Sequence, residues 1–392
     1  MHMKKVTQKV FTLHSWFGLL AGAFMILIGI TGSLLVFSDE LDEWIYKEFA
    51  VVVPSGEPKS FDALIGELRA QYPDAKVLRL TKSHSPDRAY TAILQIGKER
   101  LYTYQNQYTG EVTGKIEVHS RLTNWLLRLH FTLLARPFGD AIVAIVGALF
   151  IGLSLTGLWI QRKSLFSVYT KAIRWKAGAK VASHDLHLLT GSASVAFCIV
   201  MAVSGFYMML YTLDMEWWQK QLAAHKTVDE KRVEAKPSAF TLSADSLLNV
   251  SKNLIEEFEP KSLILPQNDK APIRVLGYAK SSNPFYSEFS SYVNFKQDGS
   301  VIKVHDIRQA SLSEKADMIL KQLHFGQFGG IWIKIIYALG GFTPAILSIT
   351  GFVLWWKRRR RKEVPKQVVR KINRPVAVPL PKVVVMRASK SN

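Results

Sequence analysis

The segment Leu323-His324-Phe325-Gly326-Gln327-Phe328-Gly329-Gly330 precedes the last long apolar run of the chain, and that run closes on Thr350-Gly351 and Trp355-Trp356. Twenty-six residues separate His324 from Thr350. The same spacing separates His130 from Thr156, which is again followed by glycine and, two positions later, by tryptophan. A histidine at a fixed distance before a Thr-Gly pair therefore occurs twice.

A shorter version of the pattern also occurs twice. His14 precedes Thr31-Gly32 by seventeen residues, and His187 precedes Ser204-Gly205 by seventeen. The two short versions and the two long versions alternate along the chain, so the first half recurs in the second with a longer insert. Such an internal repeat predicts two structurally parallel halves.

Four apolar runs are long enough to cross about 30 Å of hydrocarbon at 1.5 Å per residue. They cover roughly 11–37, 141–161, 188–213 and 335–356. The first run is too long for the apolar region of a signal peptide and no cleavage pattern follows it, so we expect a retained anchor. The fold class is therefore a membrane α-helical protein with four transmembrane helices in two parallel repeats.

The net charge of +20 is concentrated in three short segments beside the apolar runs, 1–12, 161–183 and 357–392. Loops rich in Lys and Arg stay on the cytoplasmic side of a membrane, so both termini and the 162–187 loop are expected there. This distribution favours a membrane protein over a nucleic-acid-binding one. The expected location is therefore a cytoplasmic membrane, with lipid as a partner and the basic tail disordered or lying on anionic lipid.

The predicted organisation alternates membrane segments with two large outward loops. Residues 38–129 and 214–323 each show a helical stretch followed by strand-like runs, so each is expected to be a small periplasmic α+β module. The expected segments are 1–37 (N-terminus and helix 1), 38–129 (module 1), 130–161 (interfacial segment and helix 2), 162–187 (cytoplasmic loop), 188–213 (helix 3), 214–323 (module 2), 324–356 (interfacial segment and helix 4) and 357–392 (basic tail).

The four repeated histidines suggest a cofactor. His14 and His187 lie near the inner ends of helices 1 and 3, whereas His130 and His324 lie in amphipathic lead-ins, Arg121–Leu134 and Ser313–Phe328, at the outer interface. Neutral imidazole is a good axial ligand of haem iron, and two imidazoles give a six-coordinate centre suited to electron transfer. The sequence has no CxxCH for covalent attachment, so we expect two noncovalent haem b groups, one bound by His14 and His187 and the other by His130 and His324.

Alternatives to these ligands remain open. Interfacial histidines can simply cap helices or meet lipid headgroups, and His184, three residues before His187, could replace it as a ligand. Gly18 and Gly191 follow the inner histidines by four residues and could leave room for a flat ligand, whereas Gly29 and Gly32 are typical of helix packing alone. Cys198 is expected to be an inert core residue.

No catalytic residue is indicated. The chain lacks a nucleophile elbow, a P-loop, a dinucleotide-binding fingerprint and an HExxH motif. An intrinsic nicotinamide or flavin domain is therefore not expected, and the electrons would come from a quinol or from a cytoplasmic reductase.

Three stretches resemble the PepSY-associated transmembrane family. Leu13–Gly18 running to Thr31-Gly32 looks like its first helix, Leu323–Gly330 with Thr350-Gly351 resembles its last, and Tyr108–Val112 is similar to the end of a PepSY module. The second outer loop has Asp298–Val301 instead of a clear Tyr-Thr-Gly-Glu turn. The family includes inner-membrane ferric-siderophore reductases with two haems, so the resemblance implies outward electron transfer to a ferric siderophore or another Fe(III) chelate.

Two other functions fit the same sequence. The first is a membrane-anchored PepSY scaffold or inhibitor that binds an exported protein and is not an enzyme. The second is an iron or haem transporter. The scarcity of charge within the four spans disfavours a hydrated ion path.

Overall fold

The structure is a computed structural model that describes residues 2–225 and 242–362, with side chains described over 5–213 and 242–360. Its framework is four long apolar helices, each long enough to cross a membrane: α1 (His2–Leu35), α6 (Phe138–Gln161), α7 (Ala179–His225) and α10 (Gly330–Lys362). The four predicted spans are thus present as helices. The predicted tail after Lys362 lies outside the described residues.

The four helices form a closed ring in which α1 contacts α6 and α10, and α7 contacts the same two helices. Small residues bring α1 and α10 together. A Cβ on Gly29 would lie 2.7 Å from the carbonyl oxygen of Gly341, and Ser33 donates hydrogen bonds to the carbonyls of Gly29 and Ala338 at 2.8 and 3.0 Å. Close backbone approach at glycine and serine is typical of helix pairs in lipid. The prediction that Gly29 serves helix packing is therefore confirmed.

Two shorter helices, α5 (Leu122–Thr132) and α9 (Leu312–Phe325), precede α6 and α10 at one end of the ring. They confirm the two predicted amphipathic lead-ins. The chain then reverses through left-handed residues: Leu133 and Leu134 have φ of 50° and 57°, and Gly326, Gly329 and Gly330 have φ of 67° to 80°. Glycine adopts this region without strain, which explains the glycine cluster after His324.

The predicted segment boundaries need correction. The boundary at 129/130 falls inside α5, those at 187/188 and 213/214 fall inside α7, and those at 323/324 and 356/357 fall inside α9 and α10. Hydropathy locates the part of a helix that lipid would cover, but the hydrogen-bonded helix continues through polar residues on either side. The 162–187 loop is accordingly shorter as a loop than predicted.

The segment between α1 and α5 contains α2 (Ser38–Ile45), α3 (Lys47–Ala50), α4 (Phe61–Gln71) and four strands, β1 (Lys76–Thr81), β2 (Tyr90–Ile96), β3 (Glu99–Gln105) and β4 (Val112–Glu117). The described part of the segment between α7 and α9 contains α8 (Ala244–Leu254), β5 (Phe258–Ile264), β6 (Ile273–Ala279), β7 (Ser291–Phe295) and β8 (Val301–His305). Each segment thus places a helix before a four-stranded meander.

The eight strands form one antiparallel sheet in the order β4-β3-β2-β1-β5-β6-β7-β8. The two meanders are joined by pairing of β1 with β5, where Arg79 faces Ile264 and Thr81 faces Ser262. Helices α4 and α8 cover one face, and the residues beneath them form a single apolar core that includes Leu64, Leu80, Leu94, Leu263 and Val275. The two predicted modules therefore share one sheet and one core.

Helices α4 and α8 cap each other. The carboxylate of Asp245 accepts hydrogen bonds from the backbone N–H of Phe61 and Asp62 at 3.0 and 2.9 Å, and the carboxylate of Asp62 accepts from the N–H of Ala244 at 2.6 Å. Each helix thus supplies an acceptor for donors that the other helix leaves unpaired in its first turn. These contacts fix the two meanders to each other.

The opposite face of the sheet turns toward the ring of long helices. Over β3 and β4 it is covered by α3 and by Tyr46, which lies between α2 and α3; Phe49 of α3 and Tyr46 pack on Tyr104. Asp42 of α2 accepts hydrogen bonds from Thr123 and Arg121 at the start of α5. The sheet is thereby attached to one end of the ring, called here the sheet end. The Lys- and Arg-rich segments lie at the other end, the basic end.

Candidate cofactor site: two pairs of histidines

The structure brings the repeated histidines together in two pairs. At the basic end, His14 of α1 and His187 of α7 have ring centres 6.3 Å apart, with perpendicular planes. At the sheet end, His130 of α5 and His324 of α9 also have ring centres 6.3 Å apart, with planes inclined by 59°. Thr31 of α1 contacts His130, and His14 lies seventeen residues before Thr31 in the same helix. Seventeen residues correspond to about 26 Å along α1. The pairs therefore lie near opposite ends of the ring.

Each imidazole contacts the hydroxyl of a Thr-Gly or Ser-Gly dipeptide on a neighbouring helix through its Nδ1 atom. The four contacts are His14 with Thr156 at 2.9 Å, His187 with Thr350 at 2.8 Å, His130 with Thr31 at 3.1 Å and His324 with Ser204 at 3.0 Å. These are the four dipeptides whose spacing revealed the repeat. Their hydroxyls are thus the shared partners of the four imidazoles.

The hydrogen-bond directions fix which ring nitrogen is free. Each of the four hydroxyls donates its proton to a carbonyl one turn back in its own helix, at distances from 2.6 to 2.8 Å. The hydroxyl oxygen must then accept from the imidazole Nδ1–H. His130 Nδ1 lies also 3.0 Å from the carbonyl of Ile28, which can only accept. All four rings consequently carry the proton on Nδ1 and keep a lone pair on Nε2, the form that binds a metal.

The glycine of each dipeptide makes room for the ring. A Cβ on Gly32 or Gly205 would lie 2.9 Å from the Cε1 atom of His130 or His324, and a Cβ on Gly157 or Gly351 would lie 3.3 or 3.5 Å from that of His14 or His187. The interpretation of Gly32 as a helix-packing residue alone is thus incomplete. Sequence reasoning also overlooked the role of the hydroxyls, although their fixed spacing from the histidines was visible.

The two glycines predicted to make room for a flat ligand lie elsewhere. A Cβ on Gly18 would meet Leu153 of α6 at 3.7 Å, and one on Gly191 would meet Leu347 of α10 at 3.6 Å. Both distances are ordinary van der Waals contacts. Gly18 and Gly191 therefore face neighbouring helices, and the glycines beside the imidazoles are those of the Thr-Gly and Ser-Gly pairs.

Burial keeps the histidine pair at the sheet end neutral. It lowers the pKa of His130 to about 4 and that of His324 to about 3, and the neighbouring His130 lowers the pKa of His324 further. Desolvation disfavours the imidazolium ion, so both rings are neutral near pH 7. Neutral imidazole is the form that donates a lone pair to a metal.

The spacing of each pair fits two axial ligands of one metal ion. Imidazole nitrogens bind metals at about 2.0–2.1 Å, and the ring centre lies about 1.1 Å behind the nitrogen, so two rings on opposite sides of one ion are about 6 Å apart. Within the described residues no group of three or more His, Cys, Asp or Glu side chains could hold a metal ion. Two imidazoles per site therefore suit a metal whose remaining ligands come from a porphyrin.

A profile of the PepSY-associated TM region family matches residues 11–358. The chain belongs to this family. The match includes both imidazole pairs and all eight strands, and it confirms the family that the first and last helices suggested. A comparison with curated proteins gives no match.

The other histidines of this PepSY-associated protein occupy different surroundings. His184 is mostly exposed and lies 3.4 Å from Asp185, which is held by Arg174. His84 lies 3.4 Å from Glu43, and His305 stacks on Tyr292. His119 lies in a short turn before α5, and the side chains of His2 and His225 are outside the described residues. His184 therefore faces an acid rather than a second imidazole.

Cys198 is buried between α7 and α10, with its Sγ atom 3.6 Å from the hydroxyl of Ser194 and 3.8 Å from that of Thr343. The prediction that it lies in the core is confirmed.

Proposed function

We propose that this protein is a di-haem b oxidoreductase of the bacterial inner membrane that passes electrons outward and reduces ferric chelates, including ferric siderophores, during iron uptake. His14 and His187 would hold one haem, and His130 and His324 the other. Bound haem supplies one-electron transfer. The observation that carries the proposal is the duplicated imidazole pair, with the same ring separation and the same kind of hydroxyl contact at both ends of the ring.

The protein's own residues would prepare each site. The four hydroxyls hold the imidazoles in one tautomer and fix their orientation, which outer-sphere hydrogen bonds do at metal centres generally. The apolar helices exclude water from the region between the pairs. The two halves of the chain supply one histidine each to both pairs, as expected for two parallel repeats.

The proposed orientation follows from charge. The basic end, with Lys5, Lys9 and the 162–178 loop, would face the cytoplasm, and the sheet end would face the periplasm. Both termini would then be cytoplasmic. Electrons would enter at the basic end from a membrane quinol or a cytoplasmic reductase, and they would leave near His130 and His324.

The overall reaction moves one electron to each Fe(III) chelate and yields the Fe(II) chelate. A quinol donor would be oxidised to the quinone with release of two protons, and its two electrons would reduce two chelates. Fe(II) binds oxygen-rich chelators less tightly than Fe(III), so reduction favours release of the metal.

The proposal can be tested in sealed liposomes that contain haem-loaded protein and trapped dithionite, with ferric citrate and a ferrous-specific dye outside. We expect the dye signal with the unmodified protein, and its loss in His14→Ala and in His324→Ala. His84→Ala changes a histidine outside both pairs and should retain the signal. Equal rates in all four proteins would contradict the proposal. A colourless protein that retains an exported polypeptide would instead favour a PepSY scaffold, and iron entry without a donor would favour a transporter.

A further inference from the structure

Three cations lie in one row that runs from β1 to β8 across the sheet. The strand registers place Arg79 opposite Ile264, Ile264 opposite Arg274, and Arg274 opposite Asn294, which in turn faces Lys303. All these side chains lie on the face opposite α4 and α8. Neighbouring strands are about 4.8 Å apart, so successive cations of this row are about 10 Å apart along it. Arg79, Arg274 and Lys303 are called here the cation row.

Within the described residues none of the three cations forms a salt bridge, and Glu314 is the acid whose pKa the charge of Lys303 lowers. The Nε atom of Arg274 donates to the side-chain carbonyl of Asn294 at 2.8 Å, a neutral acceptor. Burial lowers the pKa of Arg79, and the neighbouring Arg274 lowers it further. Elsewhere in the sheet and its attachments, arginines are paired with carboxylates, as Arg88 is with Glu43 and Arg308 with Asp306. Arg79 and Arg274 are partly buried and Lys303 is exposed. Two partly buried arginines without a salt-bridge partner favour binding of an anion.

Aromatic rings hold the row in place. Tyr292 lies in the adjacent row of the same face and stacks on His305, with ring centres 4.7 Å apart. The guanidinium of Arg274 lies 5.0 Å from the Tyr292 ring centre, and the Lys303 ammonium lies 5.9 Å from it. These cation–π contacts orient two of the three charges without neutralising them.

The row extends between the two helices that carry the outer imidazoles. On one side, Tyr102 continues the row through Ile93, and the Arg121 guanidinium at the start of α5 lies 3.7 Å from the Tyr102 ring centre. His130 lies about 12 Å further along α5. On the other side, Lys303 lies near Glu314 in the first turn of α9. Hydrogen bonds from Ser311 lower the pKa of Glu314, and the charges of His305 and Lys303 lower it further.

We propose that the cation row captures the substrate, and that the preferred ferric chelates are those with net negative charge, such as hydroxycarboxylate or catecholate complexes. The inference rests on the proposed function. Carboxylate and phenolate oxygens accept charge-assisted hydrogen bonds from guanidinium and ammonium groups, whereas a cationic hydroxamate chelate would be repelled.

The test uses redox-inert Ga(III) complexes, so it measures binding without electron transfer. Full-length protein in nanodiscs of zwitterionic lipid is titrated calorimetrically with anionic Ga(III) citrate and with cationic Ga(III) desferrioxamine B. We expect only the citrate complex to bind. The double variant R79Q/R274Q should weaken this binding about tenfold to a hundredfold, as expected for lost charge-assisted hydrogen bonds. K98Q/K296Q removes two exposed cations from turns of the same sheet and should bind as the unmodified protein does.

Equal binding of both complexes, no citrate binding by the unmodified protein, or unchanged citrate binding by R79Q/R274Q would overturn the inference. The charge-conserving R274K variant should retain most of the citrate binding, whereas the single variant R274Q should weaken it. If residue 274 acted only through structure, R274K and R274Q would lose citrate binding equally. Haem content and reduction by dithionite are recorded on the same samples. If haem content and reduction are normal while Ga(III) binding fails, the capture site is wrong and the electron-transfer proposal stands. If haem is absent while Ga(III) binding is intact, the electron-transfer proposal is wrong and the capture site stands.

Discussion

Among single residues, the hydroxyls of Thr31, Thr156, Ser204 and Thr350 are the shared contacts of the four imidazoles. Each accepts the Nδ1 proton of one imidazole while donating its own proton to a helix carbonyl. The arrangement leaves every Nε2 atom as a lone-pair donor. The Nδ1 atom of His130 also contacts the Ile28 carbonyl, which is a second acceptor for its proton.

Removal of one hydroxyl should weaken haem binding without abolishing it. We expect Thr350→Val and Thr31→Val to lower haem affinity about tenfold to a hundredfold, the usual effect of losing an outer-sphere partner. The measurement is the rate of haem transfer to an apoglobin acceptor. Thr343→Val is the matched control, because its hydroxyl donates to the carbonyl of Gly340 in the same helix and contacts no imidazole. Indistinguishable transfer rates in all three variants would show that the hydroxyls do not position the ligands.

The glycines beside the rings should differ in their tolerance of a methyl group. Gly32→Ala and Gly205→Ala place a Cβ 2.9 Å from an imidazole carbon, whereas Gly157→Ala and Gly351→Ala leave 3.3 and 3.5 Å. We therefore expect the first two variants to lose the outer haem and the last two to keep the inner haem with modest change. Haem-to-protein ratios and visible spectra distinguish the four. An equal effect of all four substitutions, or a stronger effect at the basic end, would be inconsistent with this geometry.

The sequence predicted the four histidines and their partners within each pair, because repeat spacing identifies equivalent positions. It did not predict which hydroxyl meets which ring, since helical periodicity defines a face but not the neighbour that the face meets. For the same reason the sequence left open whether Gly18 and Gly191 meet a ligand or a neighbouring helix; they lie against Leu153 and Leu347.

Among secondary-structure elements, the joint between the two meanders was the least predictable. β1 and β5 pair through backbone groups, which carry no side-chain signal. The strand-like runs of the sequence are Lys76–Leu80, Ala89–Ile96, Arg100–Tyr104, Ile273–Ala279, Ser291–Phe295 and Val301–His305, and they do not include β4 or β5. β4 contains Gly114, and β5 contains Pro260, which sits at a register shift opposite Gly277. Proline and glycine depress a strand prediction, although both are compatible with bulges. Helical periodicity predicts a helix over 244–258, whereas α8 ends at Leu254 and β5 begins at Phe258.

The reciprocal caps of α4 and α8 predict a pH-dependent stability. Burial alone would raise the pKa of Asp62, but hydrogen bonds from Ser243, Ala244 and Asp245 outweigh it and lower the pKa. The stabilisation is then complete above the unfolded-state pKa of about 3.9 and is lost as the pH falls through the lower pKa of the folded state. Asp62→Ala should cost about 1 kcal/mol at pH 7, as loss of a helix cap does. Near-UV circular dichroism during urea unfolding provides the measurement.

The difference between Asp62→Ala and the unmodified protein should shrink toward zero at pH 2. Asp74→Ala, at an exposed turn after α4, is the control and should show no difference at either pH. A difference in urea midpoint that persists unchanged at low pH would mean that Asp62 acts through packing and not through its charge.

In the whole molecule, the histidine–hydroxyl contacts and the histidine–histidine contacts connect different parts of the chain. The hydroxyl contacts stay within one half of the chain, as between His14 and Thr156, whereas the imidazole pairs join the halves, as between His14 and His187. The sheet joins the halves again at β1 and β5. Repeat spacing predicted two equivalent halves, but it could not reveal that the segments 38–129 and 214–323 contribute to one sheet.

The orientation predicts the accessibility of introduced cysteines. Lys98→Cys lies in the β2–β3 turn at the sheet end, and Lys171→Cys lies in the loop at the basic end. In intact bacterial spheroplasts we expect a membrane-impermeant maleimide to label the first and not the second, with both labelled after lysis. Cys198 is buried, so the unmodified protein serves as the unlabelled control. Labelling of Lys171→Cys in intact spheroplasts would reverse the proposed direction of electron flow.

The most direct test of the two imidazole pairs is the visible spectrum of purified protein produced with ample haem, before and after dithionite, for the unmodified chain and for four single His→Ala variants. We predict two six-coordinate haems in the unmodified protein. His14→Ala and His187→Ala should each keep only the haem between His130 and His324. His130→Ala and His324→Ala should each keep only the haem between His14 and His187. The absence of a Soret band from the unmodified protein, or two six-coordinate haems in His130→Ala, would contradict the account.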